Sequence, residues 1–179
     1  YLVMEDIKGV DLNAYIQSLD HPELPLKTFL TLAIQLAEAL SAIHHEQVIH
    51  KDLHPGNVVI NPDTLSLQII DFGLASLLTR EQSSLRPPEH LEGLLPYMSP
   101  EQTGRMNRSL DYRSDFYTLG VVFYELLAGR LPYNADDALG IVHAHIAKVQ
   151  RPLTSIRTGL PQSLSDIVDK LMSKNVEDP

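Results

Sequence analysis

The stretch His50-Lys51-Asp52-Leu53-His54-Pro55-Gly56-Asn57-Val58-Val59-Ile60, with Asp71-Phe72-Gly73 downstream, decides how this chain reads. A turn-rich segment carries an Asp and, five residues on, an Asn. Apolar strand-forming residues follow, and a second Asp opens a Gly turn. Mg2+ is a hard cation that takes oxygen ligands from few protein groups and completes its shell with phosphate oxygens. Asn57 and Asp71 offer such oxygens, and Asp52 can accept the proton of an attacking hydroxyl. Taken singly, each residue reads equally well as a side chain that satisfies local backbone groups. In this order, between apolar strands, they point to phosphoryl transfer, a reaction that rests on positioning and charge neutralisation.

Outward from this stretch, periodicity places the flanking elements. Asp11 is a natural cap for a short helix over Leu12–Ser18. Leu26 to Glu46 carries Phe29, Ala33, Leu36, Ala37, Leu40 and Ile43 at helical spacing. Short strands are expected at Val48–Ile49, Val58–Ile60 and Leu67–Ile70, with Asn61-Pro62-Asp63 turning between the last two. Residues 74–98 show weak periodicity and contain Pro87, Pro88, Gly93 and Pro96; a long irregular segment in a compact domain is usually functional. Ser114 to Ala128 reads as a strongly apolar helix that buries Phe116, Leu119, Val122, Phe123, Leu126 and Leu127 and stops at Gly129. Asn134 is expected to cap a helix over Ala135–Ala147, and Ser163-Leu164-Ser165-Asp166 to form a capping box before Ile167–Met172.

His50-Lys51-Asp52-Leu53 with Asn57 and then Asp71-Phe72-Gly73 resembles the H-R-D-L-x-x-x-N and D-F-G pattern of eukaryotic-type serine/threonine protein kinases. Tyr97-Met98-Ser99-Pro100-Glu101 resembles the A-P-E element that ends a kinase activation segment, here 31 residues from Asp71 through Glu101. Asp111-Tyr112-Arg113-Ser114-Asp115-Phe116-Tyr117-Thr118-Leu119-Gly120 resembles the D-x-W-S-L-G helix. Met4-Glu5-Asp6-Ile7 resembles the kinase hinge. Gly104-Arg105-Met106-Asn107-Arg108 is similar to a stretch in large bacterial proteins that join a serine/threonine kinase to an ATPase and a sensor histidine kinase.

The resemblance implies an α+β, mainly α fold: the kinase large (C-terminal helical) lobe, with short strands around the catalytic loop and the small lobe absent. Residues 1–179 would then be one partial kinase domain, hinge through most of the helical lobe. It implies ATP and Mg2+ as cofactors and a protein hydroxyl as acceptor. Asp52 would orient that hydroxyl, Asn57 and Asp71 would hold the metal, and His54 would stand at the γ-phosphate. Met4 would be the gatekeeper, backbone groups of Glu5 and Ile7 would bond adenine, Asp11 would reach ribose, and Val59 would close the adenine pocket. His50 and Phe72 would pack beneath the site, and Asp115 would accept backbone N–H bonds from the catalytic loop. His44, His45, His143 and His145 read as helix-surface or packing residues. Ser76, Thr79, Ser83 and Ser84 are candidate modification sites in the activation segment.

The sequence departs from the pattern at four positions. His54 replaces the Lys that contacts the γ-phosphate, and Leu94 replaces the Thr that bridges that Lys to the catalytic Asp. Pro179 falls where an Arg pairs with Glu101. Lys51 replaces an Arg, exchanging a planar fork for a point charge. The Gly-rich loop, the strand Lys and its Glu partner are not among these residues, so the chain is expected to start inside a longer reading frame and to be inactive alone. Its partners would be the missing small lobe and further signalling domains. Two alternatives come from other classes. Asp52-Leu53-His54-Pro55-Gly56-Asn57 also resembles the catalytic loop of aminoglycoside and choline kinases, and the departures fit a non-catalytic, pseudokinase-like module. The small-molecule enzymes lack the segment closed by S-P-E and the D-x-x-x-L-G helix.

Bulk properties bound the rest. The 179 residues suit one domain, 44% hydrophobic and 21% charged. A net charge of −9 disfavours nucleic acid and anionic membranes as partners. There is no cysteine, hence no disulfide and no thiolate metal site. No apolar run is expected to reach the roughly 18 residues of a membrane span, and the first residues lack a basic signal-peptide region. The expected location is cytoplasmic, without membrane insertion.

Overall fold

The computed structural model describes residues 7–78, 95–106 and 109–174. The residues it describes are rich in helix, with a few short strands. In chain order they form β1 (Val10–Asp11), α1 (Leu12–Gln17), α2 (Leu26–His45), β2 (Val48–Ile49), β3 (Val58–Ile60), β4 (Leu67–Ile69), β5 (Ser76–Leu77), α3 (Tyr112–Ala128), α4 (Ala138–Ala147) and α5 (Gln162–Leu171).

Helix α3 is the axis of the core. Thirteen of its residues are buried, from Ser114 to Ala128, so it reads as apolar nearly all round, the pattern of a helix enclosed by other elements. α2 lies against it, with the Phe29 and Phe123 rings edge to face at 5.3 Å, and α5 packs on its other side at Gly120. The position must be small: a Cβ on Gly120 would meet Leu171 Cβ and Met172 Cγ at 2.8 Å. α3 ends where Gly129 takes a left-handed φ of 65°, as Gly does without steric cost.

Two small sheets fix the loops that matter. β3 pairs antiparallel with both β1 and β4, with Asp11 opposite Val59 and Val58 opposite Ile69. β2 pairs antiparallel with β5, with Ile49 opposite Ser76. The segment 50–57 runs from β2 to β3, and the segment 70–75 runs from β4 to β5. Since both ends of one loop are hydrogen-bonded to both ends of the other, the two loops must lie side by side. The pairings β1–β3 and β2–β5 have no signature in a chain read by periodicity alone, because two-residue strands show no alternation.

Several expectations are corrected. Phe116 is 41% exposed, because it occupies the one strip of α3's first turns not covered by other elements and leans on His44 instead. α3 begins at Tyr112, capped by Asp111, whose Oδ1 accepts from Arg113 N. α4 starts at Ala138, not Ala135: Asp137, not Asn134, supplies the capping oxygen, to Gly140 N at 2.6 Å. α5 starts at Gln162, after Pro161, with no side-chain cap; Ser163 lies inside the helix, and proline just before it sets the entry. α2 is 20 residues long, with a mean hydropathy of 1.4 over its most apolar stretch, enough by length and composition to cross a membrane. Phe29, Leu32, Leu36 and Leu40 are buried in the core along one of its faces.

Candidate active site

The loop 50–57 hangs from the buried start of α3. Asp115, fully buried, accepts His50 N at 2.8 Å on Oδ2 and Lys51 N at 2.8 Å on Oδ1. His44 Nε2 of α2 lies 2.8 Å from the same Oδ2. The expected role of Asp115 toward the loop is thus seen as geometry, and His44 adds a contact that a surface reading of this residue misses. On the other side Gln102 Nε2 donates to Lys51 O at 2.7 Å, while its Oε1 accepts from the Ser99 amide and hydroxyl. Gln102 therefore ties the Ser99-Pro100-Glu101 turn to the loop. It carries no motif in the sequence, and only its place one residue beyond Glu101 marks it. These bonds hold Lys51 at a left-handed φ of 68°, a conformation that costs a non-glycine residue about 1 kcal/mol or more.

Within the loop, the side chains are locked to one another. Asn57, 8% exposed, donates from Nδ2 to Asp52 O at 2.9 Å and to Asp52 Oδ2 at 3.1 Å. With Nδ2 committed, Oδ1 is the atom Asn57 can offer to a cation. His54 caps the short turn Pro55–Asn57: its Nδ1 accepts from Gly56 N at 3.1 Å. The proton of the neutral ring therefore sits on Nε2, which faces Asp52 Oδ1 at 3.6 Å. His50 is fully buried; its Nδ1 accepts from Asp52 N at 3.3 Å and its Nε2 donates to Ile70 O at 3.2 Å. Its ring stacks edge to face on Phe72 at 5.0 Å, as expected, although Phe72 itself is 47% exposed.

Asp71 follows β4 at a left-handed φ of 61° and its Oδ1 accepts from Gly73 N at 3.0 Å. Its carboxylate is exposed and close enough to act on Asp52. Burial raises the proton affinity of Asp52 above the usual carboxylate range; His54, the Asn57 bond and His50 pull it back, and Asp71 adds to the rise. A partly desolvated carboxylate with a raised pKa is a better proton acceptor than a free surface Asp.

The structure brings Asp52, His54, Asn57 and Asp71 together. Asp11 and Val59 lie nearby, paired across β1 and β3. Asp11 Oδ1 is used to cap α1, accepting from Ala14 N at 2.9 Å. Val59 is half-buried and closely approached by the chain at Gly9, where a Cβ would fall 2.6 Å from Val59 Cγ1. Ile7 O is taken by Asn61 Nδ2 at 2.9 Å. Met4, Glu5, Thr79, Ser83, Ser84, Leu94, Asn107, Arg108 and Pro179 lie outside the described residues. Glu101, expected to lack the Arg that pairs with it elsewhere in the family, is only half-buried, receives Ser114 Oγ at 2.6 Å and lies close enough to Arg113 to interact with it.

Among the described residues no three His, Asp or Glu side chains cluster as a metal cage. The donor set is one carboxylate and one amide oxygen. That suits a cation such as Mg2+, which fills most of its shell with phosphate and water oxygens.

Comparison with known proteins agrees with this architecture. The family model described as protein kinase domain matches residues 1–178. The chain is 32% identical over 177 residues to serine/threonine-protein kinase PknB of Mycobacterium tuberculosis, covering 99% of the chain and 28% of the relative. It is 31% identical over 175 residues to a probable serine/threonine-protein kinase of Clostridium perfringens, covering 98% of the chain and 24% of the relative. It is 32% identical over 175 residues to a probable serine/threonine-protein kinase, PknB, of Bifidobacterium longum, covering 98% and 25%. The chain thus spans about a quarter of the length of the curated relatives it matches. The locked Asp52–Asn57 pair, the Asp71 turn beside it and the match over nearly the whole chain lead to one conclusion: this chain belongs to the protein kinase domain family.

Proposed function

We propose that the chain is the large lobe of a serine/threonine protein kinase that transfers the γ-phosphoryl group of ATP to a protein hydroxyl with Mg2+. The observation that carries the reading is the pair of bonds from Asn57 Nδ2 to Asp52. They commit the amide nitrogen to Asp52, which leaves Oδ1 as the atom to meet a cation, and they hold the carboxylate in place. In this reading Asn57 Oδ1 and the Asp71 carboxylate hold the metal. Asp52 orients the acceptor hydroxyl and takes its proton, and His54 Nε2–H stands in for the ammonium of a Lys beside the transferred group. Met4, Glu5, Ile7, Asp11 and Val59 line the nucleotide's base and ribose. When bound, Mg-ATP supplies the phosphoryl group and the neutralising charge that these side chains position. The family's phosphate-covering loop and strand Lys are not among these residues, so the 179-residue chain binds nucleotide poorly and is inactive without the small lobe. We place the parent protein in the cytoplasm, with further signalling domains on the same chain.

Two measurements test this. A parent chain that includes the small lobe incorporates phosphate from Mg-ATP into a generic protein substrate, and Asp52→Ala abolishes incorporation; equal incorporation by the variant would refute the assignment. The 179-residue chain alone shows no rise in melting temperature with Mg-ATP, and a clear rise would show that binding needs less of the domain.

A further inference from the structure

On a molecule of net charge −9, three cations gather around one open groove far from the catalytic loop. Arg130, Lys148 and Arg151, with Val149, Tyr124 and Tyr133, line a groove of about 780 Å3 between the end of α3 and the segment that leaves α4. Among the described residues no carboxylate lines it, and none of the three cations forms an ion pair. Val149, between two of the cations in sequence, is 86% exposed, the most exposed large apolar side chain of the described residues. The backbone that presents these groups is pinned. Tyr124 Oη donates to Arg151 O at 3.0 Å, Tyr133 Oη to Gln150 Oε1 at 3.2 Å, and Gln150 Nε2 to Asp169 Oδ1 at 2.7 Å. Lys174 Nζ donates to Ala144 O at 2.7 Å and also to Lys148 O. The scaffold is held while no described residue pairs with its charges, the arrangement of a preformed recognition surface. Tyr124 lies nine residues along α3 from Asp115, about 14 Å at helical rise, so the groove is separate from the candidate active site.

We propose that this groove docks an acidic peptide segment of a partner protein, with carboxylates against Arg130, Lys148 and Arg151 and one apolar side chain on Val149. Charge complementarity selects the partner's sign. The exposed Val149 selects a peptide over a bare anion, which has nothing to bury there.

The test is fluorescence anisotropy of the chain with a labelled dodecapeptide of Glu and Asp around a central Leu, beside its Gln and Asn counterpart. The acidic peptide binds, the neutral one does not, and affinity falls as NaCl rises from about 50 to about 300 mM. Arg130→Glu with Arg151→Glu weakens binding at least about tenfold, and Val149→Ser weakens it about threefold. Lys27→Glu with Lys170→Glu makes the same change of net charge on exposed sites elsewhere and leaves binding intact. Circular dichroism confirms that each variant is folded. Equal binding of the neutral peptide, equal loss from the Lys27/Lys170 reversal, or full displacement by inorganic phosphate at equal anion concentration overturns the proposal. So does sedimentation showing a dimer that the Arg130/Arg151 reversal breaks while the peptide fails to bind, because the groove would then serve a second copy of this chain.

Discussion

Removing the Asp115 carboxylate should cost more than any other single polar change in the described residues. Asp115→Ala leaves His50 N–H without an acceptor at a fully buried site, and Lys51 N–H and His44 Nε2 at half-buried ones. A buried donor left unmatched costs about 1–3 kcal/mol. With the two half-buried groups discounted for water access, the sum is roughly 3–5 kcal/mol, the range seen when one member of a buried charged network is deleted. That is a fifth or more of a typical stability of about 5–15 kcal/mol. Guanidinium unfolding followed by far-UV circular dichroism measures it, with Asp115→Asn as a shape-preserving variant that keeps one acceptor oxygen and loses about half as much. The loop should also loosen, since Lys51 holds its left-handed backbone through this carboxylate and Gln102. Tryptic cleavage after Lys51 should rise in Asp115→Ala relative to other lysines. A variant within about 1 kcal/mol of the parent, with unchanged cleavage at Lys51, would show that the tether carries little and that the loop is held by other means.

Gly120→Ala should destabilise the fold by about 1–3 kcal/mol through overpacking, because the new methyl meets Leu171 and Met172 at 2.8 Å; thermal unfolding reads the shift, and an unchanged melting temperature would mean that α5 moves aside freely. Tyr97→Phe removes the hydroxyl that donates to Glu125 Oε2 at 2.7 Å, from a carboxylate whose proton affinity burial already raises; a loss of about 1–3 kcal/mol is expected, most of it recovered when Glu125→Leu is added. Burial, with Lys174 nearby, lowers the pKa of His145 to about 4. The unfolded chain, at about 6.5, therefore takes up the proton first. This contribution to stability is complete above about pH 6.5 and is lost as pH falls toward about 4, amounting to roughly 3–3.5 kcal/mol at most. Urea unfolding at several pH values should show a steeper acid loss in the parent than in His145→Gln, and parallel curves would refute the assignment.

Much of the site was legible because its residues are close in sequence and chemically unusual as a set. Asp52 and Asn57 share one loop, the strands between Asn57 and Asp71 are short enough to find by their apolar character, and Asp115 is legible from its neighbours. What stayed hidden depends on distance along the chain. Gln102, Tyr97 with Glu125, and His44 with Asp115 are ordinary residues until the fold brings them together, and no local pattern records such pairs. The helix starts at Ala138 and Gln162 are hidden for a different reason: Asn134 and Asp137 both suit a cap for α4, as Ser163 does for α5, and which position starts the helix depends on how the preceding turn leaves the core. Phe116 misled because periodicity says which face of a helix is apolar but not where coverage by other elements stops.

Leu95 and Met98 do not belong to the main core. They form a small cluster with Val142, supported by Ala138, Ile141 and Ile146 of α4, and the His145 ring lies by the Leu95 and Pro96 carbonyls with Nε2 in no hydrogen bond. So small an apolar island contributes far less than the body it rests on, and regions with few buried contacts open without global unfolding. Amide hydrogens around Met98 and in the first turns of α4 should therefore exchange as one early-opening unit while those of α2 and α3 stay protected. The molecule would then possess a detachable corner at the end of its activation segment, able to yield and re-form while the frame behind it stays whole.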